Sequence, residues 1–305
     1  MTKKKRDVRF WLCWLLTLSL HVFLLSGTVY PKQKEGSLGI SWYPKYVKQG
    51  DTFIVTVHDT KGLRLLSGEF KKRPLLFYKI KEGKSFRALF GVDLAAAPGK
   101  YQLKISAKDS YDRDIKASRS IDIHKRDFIT QRLTLPRKMV ELDKKTQNRV
   151  LKEGERIKDL WTDGKKERLW HGEFIMPIDG EVISPFGARR IMNDVPKNPH
   201  SGVDLRAGLG AKIRCSNTGI VALVDNLYFS GKSVFIDHGQ GLYSMYFHLS
   251  QVNIKLGQRI EKGEVLGLAG STGRATGPHL HWGVRLNKAR VDPLSLLRLG
   301  VELED

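Results

Sequence analysis

The chain has little cysteine, few acidic residues and only one long apolar run. Cys13 and Cys215 are the only cysteines among 305 residues, and Cys13 lies in an apolar N-terminal segment, so a disulfide framework is excluded. The sequence also contains no internal repeat and no low-complexity tract. Hydrophobic residues make up 41% of the chain, which excludes a disordered protein and leaves room for about two domains.

The one long apolar run extends from Phe10 to about Tyr30 and follows a basic cluster, "KKKRDVR". Its length approaches the roughly 20 residues that span a bilayer, and its basic flank is expected to stay cytoplasmic. The end of the run, "LLSGTVY", lacks the small-residue pattern of a signal-peptidase site. Residues 1–31 are therefore predicted to be a signal anchor in the cytoplasmic membrane, with the remaining chain exported towards the periplasm or cell wall. Cleavage of the segment, which would give a secreted protein, is the alternative.

Acidic residues are scarce, since 32 Asp and Glu stand against 53 Lys and Arg and the formal net charge is +21. A basic exported protein indicates an anionic partner, such as a cell-wall polymer or a membrane surface. Nucleic acid is the other usual partner of a basic protein. Predicted export and the lack of any nucleic-acid-binding motif argue against it.

Hydrophobic patterning divides the rest of the chain into three parts and predicts a mainly β protein. Residues 37–125 alternate apolar and polar positions, as in "DTFIVTVH" and "PGKYQLKISAKD", and predict a β-sandwich that loosely resembles immunoglobulin-like modules. Residues 126–170 are highly charged with apolar residues at helical spacing, which predicts a helical connector. Residues 171–300 return to strands separated by glycine-rich turns and predict a second all-β domain.

Two histidines stand one residue apart in the stretch "ATGPHLHWGV". Because successive side chains of a strand point to opposite faces, His279 and His281 are expected to share one face, with Leu280 on the other. Two solvated strand histidines would give the same pattern. Which reading holds depends on the other groups that the fold brings to that face.

Further candidate metal ligands and catalytic groups lie in the same part of the chain. His200 and Asp204 form an HxxxD pair in "NPHSGVDLRAG", where proline and glycine favour a loop that leads into a strand, and His248 ends the strand "SMYFHLS". HxxxD with one histidine of HxH would supply three zinc ligands, leaving one coordination position open, as in catalytic zinc sites. Spacing does not tell which histidine of HxH would bind metal. The remaining histidine and His248 would then serve as general base and electrostatic stabiliser.

Three segments, "HSGVDLRA", "YSMYFHLS" and "GSTGRATGPHLHWGV", resemble the signatures of the lysostaphin/LytM-type metallopeptidases, which are zinc endopeptidases that cut peptidoglycan. The flanking "SPFGARR" and "VDPLSLL" match as well, so the resemblance covers about residues 177–297. It implies a domain of antiparallel sheets of the duplicated-hybrid-motif type. It also implies zinc ligands at His200, Asp204 and His281, and catalytic roles for His248 and His279.

Other charged and polar residues near these motifs have less specific interpretations. His238 in "IDHGQG" is interpreted as part of a turn. Arg189 and Arg190 either meet carboxylates of the stem peptide through bidentate contacts or belong to the solvated surface.

The resemblance leaves two alternatives to the enzyme. Some relatives have lost ligands and act as non-catalytic wall-binding or regulatory modules that activate another wall hydrolase. A structural wall-binding protein with a vestigial zinc domain is the other alternative. Because all five functional positions are filled in this chain, the sequence favours a zinc metalloendopeptidase acting on peptidoglycan.

Overall fold

The computed structural model describes residues 38–59, 62–80, 84–134, 136–137, 140–162 and 164–303, apart from the side chains of residues 301 and 302. The predicted membrane anchor, residues 1–31, lies outside these ranges. Within them, no helix combines the length and the apolar character that crossing a bilayer requires.

The described residues up to 124 form strands that pair into two sheets. These strands are β1 (Gly39–Tyr43), β2 (Val47–Lys48), β3 (Thr52–His58), β4 (Arg64–Phe70), β5 (Arg73–Pro74), β6 (Tyr78–Lys79), β7 (Ser85–Gly91), β8 (Gly99–Lys108) and β9 (Asp114–His124). One sheet has the order β1-β3-β7-β6 and the other the order β2-β9-β8-β4-β5. The β content of this region agrees with the predicted fold class, whereas the sandwich arrangement and the immunoglobulin-like classification stay predictions.

Strand β3 shows how the two faces of one sheet are used. Phe53, Val55 and Val57 are fully buried in the core between the two sheets, as their alternation predicts. Ile54, on the opposite face, is buried in a second and larger core together with Trp282 of the C-terminal part. Strand β3 therefore packs directly against residues of the C-terminal part.

The connector between the two β regions is helical over only part of its length. Helix α1 (Lys144–Leu160) begins at Asp143, whose carboxylate accepts a hydrogen bond from the Thr146 backbone N–H and so caps the helix. Ile157 and Leu160 pack against a small core of the C-terminal part. Residues 130–133 instead form strand β10 (Thr130–Leu133), which departs from the predicted helical connector.

The remaining strands fold as a second, mainly antiparallel unit. They are β11 (Val182–Ser184), β12 (Arg189–Met192), β13 (Val195–Pro196), β14 (Gly202–Arg206), β15 (Lys212–Arg214), β16 (Gly219–Leu227), β17 (Gly231–Asp237), β18 (Leu242–Leu249), β19 (Gln251–Val252), β20 (Arg259–Ile260), β21 (Val265–Leu268), β22 (His279–Leu286) and β23 (Ala289–Val291). Helix α2 (Pro293–Leu297) and a 3₁₀ turn (Gly300–Leu303) follow.

Pairing among these strands gives three described sheets. The largest has the order β11-β14-β22-β18-β17-β16-β20, with β23 added beside β22. A small antiparallel sheet has the order β15-β21-β19. In the third, β10 pairs in parallel with β12, which pairs in turn with β13. The connector thus supplies a strand to the C-terminal unit, whose antiparallel sheets agree with the predicted fold class.

Candidate metal centre

At the centre of the large sheet, strand pairing brings the predicted metal-binding residues close together. Asp204 on β14 lies directly opposite His281 on β22, and His281 lies opposite Phe247 on β18. Directly opposed residues have Cβ atoms about 4.5–5.5 Å apart, close enough for their side chains to converge on one point. His200 reaches the same point from the loop that precedes β14, as the sequence predicts.

Three side-chain atoms converge at this point. His281 Nδ1 lies 2.8 Å from Asp204 Oδ1, and His200 Nε2 lies 2.9 Å from the same oxygen. The two ring nitrogens are themselves 2.9 Å apart. All three residues are buried, so the cluster is a group of two imidazoles and one carboxylate that could hold a metal ion.

The hydrogen bonds of His200 test whether this donor set fits a cation. Nδ1 of His200 lies 2.9 Å from the carbonyl oxygen of Pro185, which can only accept, so Nδ1 carries the proton of the neutral ring. Burial lowers the pKa of His200 to about 4, which keeps the ring neutral at pH 7. Nε2 then points a lone pair at Asp204 Oδ1, and two acceptors face each other. A cation between them removes that conflict, so the residues fit a metal.

The carboxylate of Asp204 is held in place by a hydrogen bond from a neighbouring residue. Its second oxygen, Oδ2, accepts a hydrogen bond of 2.9 Å from Nη2 of Arg190. This charge-assisted bond fixes the carboxylate so that Oδ1 faces the two histidines.

The connector strand β10 also reaches the surroundings of the centre. Gln131 on β10 accepts a hydrogen bond of 2.9 Å from the Ser184 hydroxyl, and that hydroxyl lies 3.2 Å from His200 Nδ1. Outer contacts of this kind orient metal-binding histidines. Sequence reasoning missed Gln131, because a polar residue of a charged connector carries no signal of its eventual neighbour.

The two other predicted histidines, His248 and His279, lie beside the three ligands with their ring centroids 4.7 Å apart. Nδ1 of His248 donates to the Thr272 carbonyl at 2.8 Å, and Nδ1 of His279 donates to the Gly277 carbonyl at 2.9 Å. Because these carbonyls hold the Nδ1 protons, Nε2 is the atom of each ring that can exchange a proton. Nε2 of His279 lies 3.9 Å from Asp204 Oδ1, too far for a hydrogen bond.

His248 is held in an unusual backbone conformation. Its φ is +63°, in the left-handed region that side chains other than glycine rarely adopt. Such conformations persist where the surrounding structure enforces them, often at functional sites. Burial, reinforced by the neighbouring His281, lowers the pKa of His248 to about 3 and keeps the ring neutral.

The two arginines of "SPFGARR" turn in different directions because they are neighbours on strand β12. Arg190 faces the centre and its Nη2 pairs with Asp204, so it is more than solvated surface, and its contact with a substrate carboxylate stays a prediction. Arg189 lines a different cavity, together with Phe128 and Arg290.

His238 lies outside the site. Its Nδ1 donates to the Thr218 carbonyl at 2.8 Å, and its Nε2 lies 2.7 Å from the Ser244 hydroxyl oxygen. The ring is completely buried and serves the packing of the strand end, in agreement with a role in turn structure.

A groove with a volume of about 360 Å³ opens beside the centre. His200, His248 and His281 are among its lining residues. Val140 and Leu142, which belong to the connector before α1, line it as well. An open groove over a buried ligand cluster with two neighbouring bases is the arrangement of a metal-dependent hydrolase.

Comparison with known proteins identifies the family of the chain. Residues 198–293 match Peptidase family M23. A crystal structure assigned to peptidase M23 from Pseudomonas aeruginosa is 30% identical, superposes with a TM-score of 0.62, and is matched over 80% of this chain and 92% of its own length. The chain belongs to peptidase family M23.

Curated relatives of the peptidase part carry more specific names. The peptidoglycan DD-endopeptidase ShyA of Vibrio cholerae is 38% identical over 110 residues, which is 35% of this chain. The DD-carboxypeptidase/endopeptidase Mpg of Neisseria meningitidis is 37% identical over 135 residues, which is 44% of this chain. This chain spans only 25% and 31% of the lengths of these two relatives.

Proposed function

We propose that the chain is a zinc-dependent endopeptidase that hydrolyses peptide bonds in the stem peptides or cross-bridges of peptidoglycan during cell-wall remodelling. The observation that carries the proposal is the complete set around the groove: three convergent ligands and two further histidines that each keep Nε2 as a base. The names of the curated relatives support peptidoglycan as the substrate.

His200, Asp204 and His281 are the residues that would hold the metal, and two nitrogens with one carboxylate oxygen suit zinc. The ion, when bound, supplies Lewis-acid chemistry, since it polarises a carbonyl group and makes water more acidic. The protein contributes the orientation of the ligands. The Pro185 carbonyl fixes the proton of His200, and Arg190 fixes the carboxylate of Asp204.

His248 and His279 would move the protons of the reaction. Because the backbone carbonyls hold the Nδ1 proton of each ring, Nε2 is the atom that would take a proton from the attacking water. The same nitrogen can then return the proton to the leaving amine. While it holds that proton, the ring is cationic and would stabilise the negative charge that develops on the carbonyl oxygen. Their backbone anchors hold both rings in place throughout.

Digestion of purified peptidoglycan by the purified full-length chain tests the proposal, with mass spectrometry of the released muropeptides as the readout. We expect peptide-bond cleavage that a chelator abolishes and zinc restores. His248→Ala and His279→Ala should each lower the initial rate about 10²–10⁴-fold while zinc content stays near wild type. His171→Ala, at an exposed histidine of the same unit, is the matched control and should cut normally.

The same experiment separates the enzyme from its alternatives. A regulatory or purely wall-binding module would release no muropeptides with or without chelator, although it could still stimulate an added wall hydrolase. The complete set of five residues favours the enzyme, because a module that only binds needs neither the ligands nor the two bases.

We also propose the organisation and location that the sequence predicts. Residues 1–31 would be an export signal that anchors the chain in the cytoplasmic membrane, residues 37–125 an immunoglobulin-like sandwich, 126–170 a connector and 171–300 the peptidase domain. A peptidoglycan substrate supports export, because peptidoglycan lies outside the cytoplasm. The net charge of +21 supports additional contacts with anionic wall polymers.

A further inference from the structure

A second cavity, with a volume of about 420 Å³, opens beside the large sheet away from the candidate metal centre. Its lining comes from β5 and the residues after it, from the segment after α1, and from the start of β18 and the end of β22. Arg285 in this lining lies four residues beyond His281 on β22, about 14 Å along the strand. The cavity is therefore separate from the groove, and none of the candidate metal-binding and catalytic residues lines it.

The charged side chains around this cavity are all cationic. They are Arg73, Lys165, Lys166, Arg285 and Lys288. No aspartate or glutamate of the described chain lines the cavity with them, and within the described ranges none of the five forms an ion pair. Asp93 is close enough to act on the two arginines, but it is already paired with Arg290 at 2.7 Å. The cavity therefore concentrates positive charge that the surrounding chain does not neutralise, which indicates an anionic ligand.

The two arginines supply fixed positive charge, because neutral groups hold them in place. The terminal nitrogens of Arg73 donate to two backbone carbonyls, at 2.7 and 2.9 Å. Nη1 of Arg285 donates to the Lys288 carbonyl at 3.1 Å, and its guanidinium carbon lies 4.7 Å from the centroid of the Trp161 ring. Carbonyl and aromatic partners orient a guanidinium without cancelling its charge. Burial lowers the pKa of both arginines, and an anion in the cavity would offset the lost hydration.

The turn between β22 and β23 presents Lys288 at a cost in backbone strain. Leu286 pairs with Ala289, so Asn287 and Lys288 form a two-residue turn, and their φ angles are +48° and +67°. Turns of this kind favour glycine at the second position. A lysine that replaces the favoured glycine indicates that its side chain is used, because strained residues persist mainly where function requires them.

The segment after α1 adds two exposed lysines, Lys165 and Lys166, on another side of the cavity. The backbone N–H of Lys165 donates to Asp237 Oδ2 at 2.8 Å, and the carboxylate of Asp237 offsets part of the Lys165 charge. Gly164 lies so close to the sheet that a Cβ atom there would fall 2.1 Å from the Tyr243 hydroxyl oxygen. The segment is thus fixed against the sheet, with Lys166 at the cavity.

The distribution of these groups favours a phosphate over a carboxylate. Lysines bind phosphate as compact charges, and positive groups on several sides suit its several oxygens better than the single edge of a carboxylate. Pro74, Leu76 and Trp161 give the cavity an apolar part that can contact a carbon skeleton. The volume lies within the range of small-molecule sites.

We propose that this cavity binds a phosphate ester of a small sugar or polyol, with Lys166 and Lys288 contacting the phosphate and the two arginines supplying the surrounding positive potential. The site is additional to the proposed endopeptidase centre and does not rest on it.

Isothermal titration calorimetry of the purified full-length chain in low-salt buffer tests the proposal, with glycerol 3-phosphate as the ligand and glycerate as its carboxylate counterpart. Wild type should bind glycerol 3-phosphate, and glycerate about 10-fold more weakly. Lys166→Gln and Lys288→Gln should each weaken binding of glycerol 3-phosphate about 10-fold, as expected for one lost charge-assisted contact. Lys288→Gly should weaken it as much, while urea unfolding should show no loss of stability, because glycine suits the turn.

Lys212→Gln is the matched control, since Lys212 is exposed on β15 and does not line the cavity. It should bind glycerol 3-phosphate as wild type does. Absence of binding in the wild type, or equal affinity for glycerate, would overturn the proposal. A loss in Lys212→Gln as large as that in Lys166→Gln would also overturn it, because net charge alone would then explain the binding. Peptidoglycan takes no part in this measurement, so its outcome is independent of the proposed endopeptidase function.

Discussion

The buried imidazole of His238 should make the stability of the protein depend on pH in a specific window. Burial lowers the pKa of His238 to about 4, whereas a histidine in the unfolded chain has a pKa of about 6.5. The unfolded chain therefore binds a proton at His238 below about pH 6.5, whereas the folded protein binds it only near pH 4. The stability contributed by the neutral ring is present above pH 6.5 and is lost as the pH falls towards 4.

The size of this loss follows from the two pKa values. Each pKa unit corresponds to about 1.4 kcal/mol, so between about pH 7.5 and about pH 4.5 the linkage should reduce the free energy of unfolding by about 2.5 kcal/mol. The replacement His238→Asn removes the titrating ring, while its amide can still donate to the Thr218 carbonyl. The variant should be less stable than wild type at neutral pH, but its stability should decline less on acidification.

Urea unfolding at the two pH values measures the effect, with the difference in pH dependence between variant and wild type as the quantity of interest. Buried His200 and His248 contribute to both proteins alike, so the comparison isolates His238. His171→Asn, at an exposed histidine, should show the wild-type decline. If His238→Asn loses as much stability as wild type over this range, the assignment of a buried neutral ring is wrong.

Three further predictions concern the metal, the core and the N-terminus. Asp204→Ala should leave the purified chain without bound zinc by metal analysis, because it removes one of three ligands; undiminished zinc would contradict the ligand assignment. Leu280→Ala should lower the free energy of unfolding by about 2–5 kcal/mol, because Leu280 is fully buried on the face of β22 opposite His279 and His281. N-terminal sequencing should find residues 1–31 still attached, whereas a mature chain that begins near residue 28 would refute the anchor.

Local periodicity predicted those parts of the site that lie on one strand or one loop. The two-residue period of a strand placed His279 and His281 on one face, and both lie near Asp204 Oδ1, at 3.9 and 2.8 Å. Proline and glycine around the HxxxD pair predicted a loop running into a strand, which is how His200 and β14 are arranged. The shorter distance also favours His281 as the ligand, an assignment that came from family resemblance and not from spacing.

Features that depend on distant partners were not predictable. The pairing of β10 with β12 joins residues almost 60 positions apart, and the charged composition around β10 resembles that of the neighbouring helix. Whether Arg189 or Arg190 contacts Asp204 depends on which side of β12 faces the centre. The sequence of β12 alone does not specify that side. The left-handed backbone of His248 is likewise imposed by contacts from other strands.

The groove beside the candidate metal centre extends beyond the segment that carries the family match. Residues 198–293 match the family, but Val140 and Leu142, which line the groove, lie well upstream of that segment. Gln131, which bonds to Ser184 beside His200, lies upstream of it as well. A fragment cut to the matched segment would therefore lack part of the lining of the groove and one outer contact of a candidate ligand.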